Sequence, residues 1–273
     1  MKSSRVHPLR ALARGAALLA GLVVLPSAVL AYADLLPESL TEGLDLVMLW
    51  PETTPPVELP HVARQVASGE PLRIVAFGSS STEGIGASSP AAAYPARLEA
   101  ALKRALPQLA GQVRVLNRGI GGQHVDDMLA RLERDVLAAE PHLVIWQTGS
   151  NDPLRGVGLE HFREVTVAAV QRMQEAGIDV VLMEPQWCPK LDATPGAYRF
   201  RDAVREIGAE LDVPVIRRSD LMREWIAEAK LTRKELFAAD GLHMADAGYA
   251  MLARAAADEI LRDARHLTAA AAE

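Results

Sequence analysis

Four short stretches of this 273-residue chain hold residue types that could do chemistry together. Gly78-Ser79-Ser80-Ser81 closes an apolar run. Asn117-Arg118-Gly119-Ile120-Gly121-Gly122-Gln123 is a glycine-rich turn after a second run, and Gly149-Ser150-Asn151-Asp152 follows a third. Asp240-Gly241-Leu242-His243 puts an acid and an imidazole three residues apart near the C-terminal end. Acyl transfer needs these parts. A serine hydroxyl is a weak nucleophile until a base takes its proton. His243 can be that base, since imidazole is the side chain whose ordinary pKa lies close to neutral pH, and Asp240 can fix its tautomer and stabilise the imidazolium. A developing oxyanion needs donors, which a glycine N–H, the Asn151 amide and the Ser80 N–H can supply.

Taken singly, each stretch has a plainer explanation. The serines could form a loop, Asn151 could cap a helix or shape a turn, and Asp240 with His243 could be a surface pair. Asp152 is a second possible acid, ranked below Asp240 because adjacent side chains point apart. His124 follows the glycine-rich turn and reads as an exposed residue near a helix start rather than as part of a site. A phosphate cradle is excluded, since the glycines lack GxGxxG spacing and no GxxxxGK[ST] occurs.

The elements that must position these stretches alternate along the chain. Leu72–Phe77, 113–117, 143–148, 180–183 and 213–216 are short apolar runs that read as strands. Between them lie helical faces: Tyr94, Leu98, Leu102 and Leu106; Val125, Met128, Leu129, Leu132 and Val136; Phe162, Val165, Ala169 and Met173; and a stretch from about Ala197 to Leu211. Tyr249, Leu252, Ala256 and Ile260 mark a last helix. Strands alternating with helices imply a parallel sheet covered on both faces. In such sheets ligands bind beyond the carboxyl ends of the strands, where the polar stretches fall. The loop from Met183 to Pro189 lies on the same rim. It either shapes a substrate pocket or simply packs, and Glu184 is its one candidate for a substrate contact.

Composition sets the class. Hydrophobic residues make up 49% and aromatics 4%, so the chain can fill an aliphatic core. The single cysteine, Cys188, rules out an internal disulfide and reads as a buried apolar residue. Residues 1–33 read as a signal peptide: Lys2, Arg5, Arg10 and Arg14 precede the apolar stretch Gly15–Leu25, and Ala31-Tyr32-Ala33 gives a cleavage signal. An uncleaved N-terminal membrane anchor is the alternative. Removing the segment takes away basic residues and no acidic one, so the remainder is more negative than the full chain's −6. With no basic stripe left, nucleic-acid binding is not expected. Residues 34–70 are a proline-punctuated lead-in, 71–265 the main domain, and 266–273 a frayed tail.

Over about residues 72–262 the sequence resembles the SGNH/GDSL hydrolase family. Its G-D-S block is matched by Gly78-Ser79-Ser80, which implies Ser80 as nucleophile. The glycine block is matched by Asn117–Gly122, with Gly122 in the oxyanion position, and G-x-N-D by Gly149–Asp152, with Asn151 as the oxyanion asparagine. D-x-x-H is matched by Asp240 and His243. Two departures stand out: Ser79 replaces the usual Asp, and Met244 replaces the Pro that often follows the histidine. The resemblance implies a three-layer α/β/α, flavodoxin-like fold with a five-stranded parallel sheet. It also implies a serine ester hydrolase with an oxyanion hole of Ser80, Gly122 and Asn151, which the N-terminal segment would make exported, periplasmic or secreted. Its substrate would be a small-molecule, glycan or lipid ester or an acyl thioester, with no metal and no organic cofactor required. Acyl transfer to a glycan by the same residues, and non-catalytic carbohydrate binding, are the alternatives.

Overall fold

The computed structural model describes residues 59–109 and 111–270. The signal segment and most of the lead-in lie outside the described residues. Five strands, β1 (Leu72–Gly78), β2 (Val113–Gly119), β3 (Leu143–Gln147), β4 (Asp179–Met183) and β5 (Val215–Ile216), form one sheet of order β2-β1-β3-β4-β5. All pairings are parallel, with Gly78 beside Gly119 and Gln147 beside Met183 at the carboxyl ends. Because β1 and β3 are neighbours while β2 lies outside β1, the chain reverses direction across the sheet between them. That switch point opens a crevice at the rim.

The first helices in chain order are α1 (Pro60–Ser68), α2 (Ser80–Glu83), α3 (Tyr94–Ala105), α4 (Val125–Leu129), α5 (Leu132–Asp135) and α6 (Asp152–Arg155). After them come α7 (Leu159–Glu175), α8 (Pro189–Asp192), α9 (Ala197–Glu210), α10 (Arg218–Ala227), α11 (Arg233–Leu236) and α12 (Asp246–Ala270). Strand side chains alternate between two apolar layers. Ile74, Ala76, Ile145 and Val181 face a layer that includes Val62, Leu98, Met222, Tyr249 and Leu252 of α1, α3, α10 and α12. Val75, Phe77, Val144, Trp146 and Leu182 face Met128, Phe162, Val170 and Val204 of α4, α7 and α9. Both faces are therefore buried, which is why the strands are near-continuously apolar.

Three local expectations change. The helical face from Val125 to Val136 is split into α4 and α5. The break falls at Arg131, which is 4% exposed and turns inward instead of continuing an amphipathic helix. Its guanidinium donates to the carbonyls of Gly78 and Arg118 (2.9 Å each) and to Gln123 Oε1 (2.6 Å), and lies 4.4 Å over the Phe77 ring. The last strand begins at Val215 rather than Val213, since Pro214 has no N–H for the ladder; its carbonyl still accepts from the Leu182 N–H. At the other end, the helix runs on to Ala270 past the boundary at 265, as alanines favour.

Arg131 staples the ends of β1 and β2. Replacing it takes a buried donor from the Arg118 and Gly78 carbonyls, the second of which keeps the Ile120 N–H, so Arg131→Met should lower unfolding free energy by about 1–3 kcal/mol in urea titration. An unchanged midpoint would show that the staple contributes nothing.

Candidate active site

Of the three consecutive serines, Ser79 and Ser81 are buried, at 1% and 2% exposure, and Ser80 alone opens to the crevice. Ser80 is the first residue of α2, which leaves β1 abruptly after Gly78. Its Oγ is 2.9 Å from His243 Nε2, and His243 Nδ1 is 2.6 Å from Asp240 Oδ2. The other Asp240 oxygen accepts the backbone N–H groups of Leu242 and His243, each at 2.9 Å. This fixes the proton positions: Nδ1 carries the ring proton and donates it in a hydrogen bond to the Asp240 carboxylate, which leaves Nε2 to accept from Ser80. Burial alone would raise the Asp240 carboxyl, but the His243 ring and the two backbone donors outweigh it and hold it down at about 2. The acid is thus ionised across the neutral range.

The imidazole reaches Ser80 because its loop is tied down on both sides. Phe237 and Met244 form an antiparallel bridge, with Ala238 N–H donating to His243 O and Ala245 N–H to Leu236 O. Met244 is 1% exposed, so burial and the bridge hold the turn where a proline often stands. On the far side, the Asp246 carboxylate accepts the Ser88 N–H (2.8 Å) and hydroxyl (2.5 Å), and Tyr249 Oη donates to Ile85 O at 2.6 Å. These contacts fasten the start of α12 to the loop that follows the serine.

The glycine-rich turn is held with equal care. Glu83 Oε2 accepts the Gly121 N–H at 2.7 Å, and Arg155 donates to the Gly122 carbonyl at 2.9 Å. Gly122 takes φ +76, a left-handed conformation that suits glycine. Its own N–H has no partner among the described residues, nor has that of Ser80. Asn151 stands at the N-cap of α6, but its side chain does not cap the helix. Its Nδ2 instead donates to the Gln123 carbonyl at 2.8 Å, which ties it to the same turn and leaves its second amide proton unassigned. Ser80, Gly122, Asn151, His243 and Asp240 are therefore brought to one rim.

Other sequence candidates sit elsewhere. Asp152 is fully buried under Asn151, where it accepts the Val125 N–H at 2.9 Å; burial pushes its carboxyl up. His124 caps α4, with Nδ1 accepting the Asp126 N–H. Glu184 is not placed to touch substrate. It is 0% exposed, gripped by Arg205 through Nε (2.5 Å) and Nη2 (3.0 Å) and by the Ser219 N–H and hydroxyl. Cys188 is buried, and burial pushes its thiol up. It packs with Leu191 and Ala197 beside Leu154 and Leu242, the second of which adjoins His243. Among the described residues no group of three or more His, Cys, Asp or Glu side chains could hold a metal ion, and no helix is long and apolar enough to cross a membrane.

A model of the Non-GDSL lipase-like family matches residues 51–266, most of the sequence. The chain belongs to that family. Its serine turn, Gly78-Ser79-Ser80, lacks the aspartate of G-D-S, in keeping with the family's description. The chain is 27% identical over 180 residues to an acetylxylan esterase of Geobacillus stearothermophilus, covering 61% of this chain and 80% of that one. It is 26% identical over 133 residues to the uncharacterized lipoprotein YqeF of Bacillus subtilis (strain 168), covering 39% of this chain and only 55% of the lipoprotein. The solved structure of a lipase/acylhydrolase from Enterococcus faecalis superposes with a TM-score of 0.58 at 27% identity, over 71% of this chain and 96% of that one.

Within this family member, sequence reading missed the groups that hold the site in place: Arg131, Glu83, Arg155, Gln147 and Arg218. Gln147 carried a faint signal, a polar residue closing a buried strand. Arg218 carried none.

Because the folded carboxyl of Asp240 lies below the unfolded value of ~3.9, its stabilising contribution is complete above that value and is lost as pH falls toward 2. The melting-temperature gap between wild type and Asp240→Asn should therefore shrink as pH falls from about 4 to 2. Calorimetry across that range checks it, and a gap that does not change with pH counts against the assignment.

Proposed function

We propose that the protein is an exported serine hydrolase that cleaves carboxylic esters through an acyl-enzyme on Ser80. One observation carries this reading: Ser80 Oγ, His243 and Asp240 are linked in series at 2.9 and 2.6 Å on the crevice rim. His243 Nε2 takes the Ser80 proton as Oγ attacks the acyl carbon. The carbonyl oxygen gains charge toward the Gly122 N–H, the Ser80 N–H and the Asn151 amide, which are fixed before substrate arrives. Collapse breaks the ester bond, and His243 returns its proton to the leaving alcohol. A water then gives a proton to the same nitrogen, attacks the acyl carbon and releases the acid, and Ser80 recovers its proton. Asp240 stays ionised throughout, holding the ring tautomer and offsetting the charge of the imidazolium.

The substrate class we favour is a short O-acyl group on a carbohydrate. The esterase relative named for acetylxylan supports this. Export is supported by the basic, apolar and Ala31-Tyr32-Ala33 order of the N-terminal segment and by a relative named as a lipoprotein.

Ser80→Ala should abolish p-nitrophenyl acetate hydrolysis and labelling by a fluorophosphonate probe while leaving the circular dichroism spectrum unchanged. Full activity in that variant would remove the reading. Asn151→Ala should lower kcat by about 10²–10³ through loss of one oxyanion donor, read by steady-state kinetics. In a panel of esters of graded acyl length run beside acetylated xylan, kcat/KM should be highest for acetyl groups. A maximum at long chains would redirect the substrate assignment toward lipids.

A further inference from the structure

A buried chain of polar side chains runs beneath the rim, and no step of the proposed mechanism uses it. Gln147 closes β3 at 0% exposure. Its Oε1 accepts the Ser79 N–H at 2.9 Å, the Ser79 hydroxyl at 3.1 Å and the Thr82 hydroxyl at 3.3 Å. Its Nε2 donates to Ser150 Oγ at 3.3 Å, and Ser150 Oγ donates to Gln186 Oε1 at 2.9 Å. Arg218, also 0% exposed, closes the chain. Its Nη2 donates to Gln186 Oε1 (2.8 Å) and Ser150 Oγ (3.4 Å), and its Nε donates to the Glu184 carbonyl (3.1 Å).

The direction of every bond follows from two donors that cannot accept. The Ser79 backbone N–H obliges the facing atom of Gln147 to be its oxygen, so the amide nitrogen must face Ser150. The Arg218 guanidinium obliges Ser150 and Gln186 to accept from it, so the Ser150 proton has only Gln186 left to bond. The amide orientations of Gln147 and Gln186 and the Ser150 proton are thereby set. Close approach is built in as well: a Cβ on Gly78 would fall 2.9 Å from Gln147 Oε1 and 2.4 Å from Thr82 Oγ1.

These bonds end on the residues that flank the reacting groups. Ser79 precedes Ser80, Thr82 lies in the same short helix, and Ser150 precedes Asn151. We propose that Gln147, anchored through Ser150 to Arg218, is the positioning residue that sets the Ser80 turn and the Asn151 amide in one frame. The proposal rests on the hydrolase reading above. An aspartate at position 79, as in G-D-S, would set a carboxylate against Gln147 Oε1. Ser79 and Gln147 thus form a matched neutral pair in this chain.

The test compares wild type with Gln147→Leu, Gln147→Glu and Ser150→Ala in p-nitrophenyl acetate kinetics, fluorophosphonate labelling rate and thermal melts. Gln147→Leu should lower kcat and the labelling rate by a similar factor of about 30–100, with KM within about two-fold, because misplacing a nucleophile costs rate and not affinity. Gln147→Glu keeps an acceptor for the Ser79 N–H and should recover at least about ten-fold of that loss. Ser150→Ala deletes one hydroxyl, is compatible with folding, and should cost kcat about five- to ten-fold at unchanged KM. Should Gln147→Leu fail to fold, Gln147→Glu and Ser150→Ala decide. Wild-type kcat in a folded Gln147→Leu or in Ser150→Ala overturns the positioning role. So does a loss that only tracks the folded fraction. A wild-type protein that neither turns over ester nor takes the probe overturns the hydrolase reading and, with it, this role.

Discussion

The hydrogen bond between Ser80 Oγ and His243 Nε2 joins groups 163 positions apart in sequence, and most of the local architecture exists to make it possible. Neither residue is held by its own element alone. Ser80 begins a one-turn helix, and His243 lies in a loop before α12. The Asp246–Ser88 and Tyr249–Ile85 contacts close the distance from one side, and the Phe237–Met244 bridge fixes the loop from the other. A misplacement of about 1 Å between such partners costs reactivity on the order of 10²-fold, so these ties are as much part of the site as the side chains that react.

The rim is also a polar place inside an apolar protein, which creates its own demand. Strand ends deliver backbone carbonyls and N–H groups to a region covered by loops, and each buried one needs a partner. Arg131 answers for the β1 and β2 ends, Gln147 for the serine turn, and Glu184 with Arg205 and Ser219 for the loop after β4. The guanidinium of Arg218, pushed down to about 10 by burial, is spread over a carbonyl, an amide and a hydroxyl rather than set against a carboxylate. Such groups favour one arrangement of the loops, since the bonds through Arg218 Nε and Nη2 form only in it, while Nη1 has no hydrogen-bond partner among the described residues.

Much of the fold was legible beforehand. The five apolar runs became the five strands, since strands buried on both faces must be apolar throughout and stand out in the sequence. The split of α4 from α5 was not legible: Arg131 breaks a good helical face in order to reach carbonyls that β1 and β2 bring beneath it. Pro214 shortened β5 for a reason the sequence did contain, the missing N–H. Glu184 looked available on a rim loop, yet Arg205 and Ser219, distant in sequence, enclose it.

The sequence by itself determined the strand order of chemistry along the chain, the residue types at each strand end, and the presence of a serine, an imidazole and two acids to choose from. Those are properties of composition and period, which need no knowledge of contacts. The family resemblance pointed to Ser80 and Asp240, but only the tertiary structure decided why Ser80 faces the crevice while its neighbours are buried, how Asp240 meets His243 Nδ1, and which neutral side chains hold the serine turn. The physical reason is the same in each case: direction and burial are fixed by partners that the fold brings in from far along the chain, and local sequence carries no record of who those partners are.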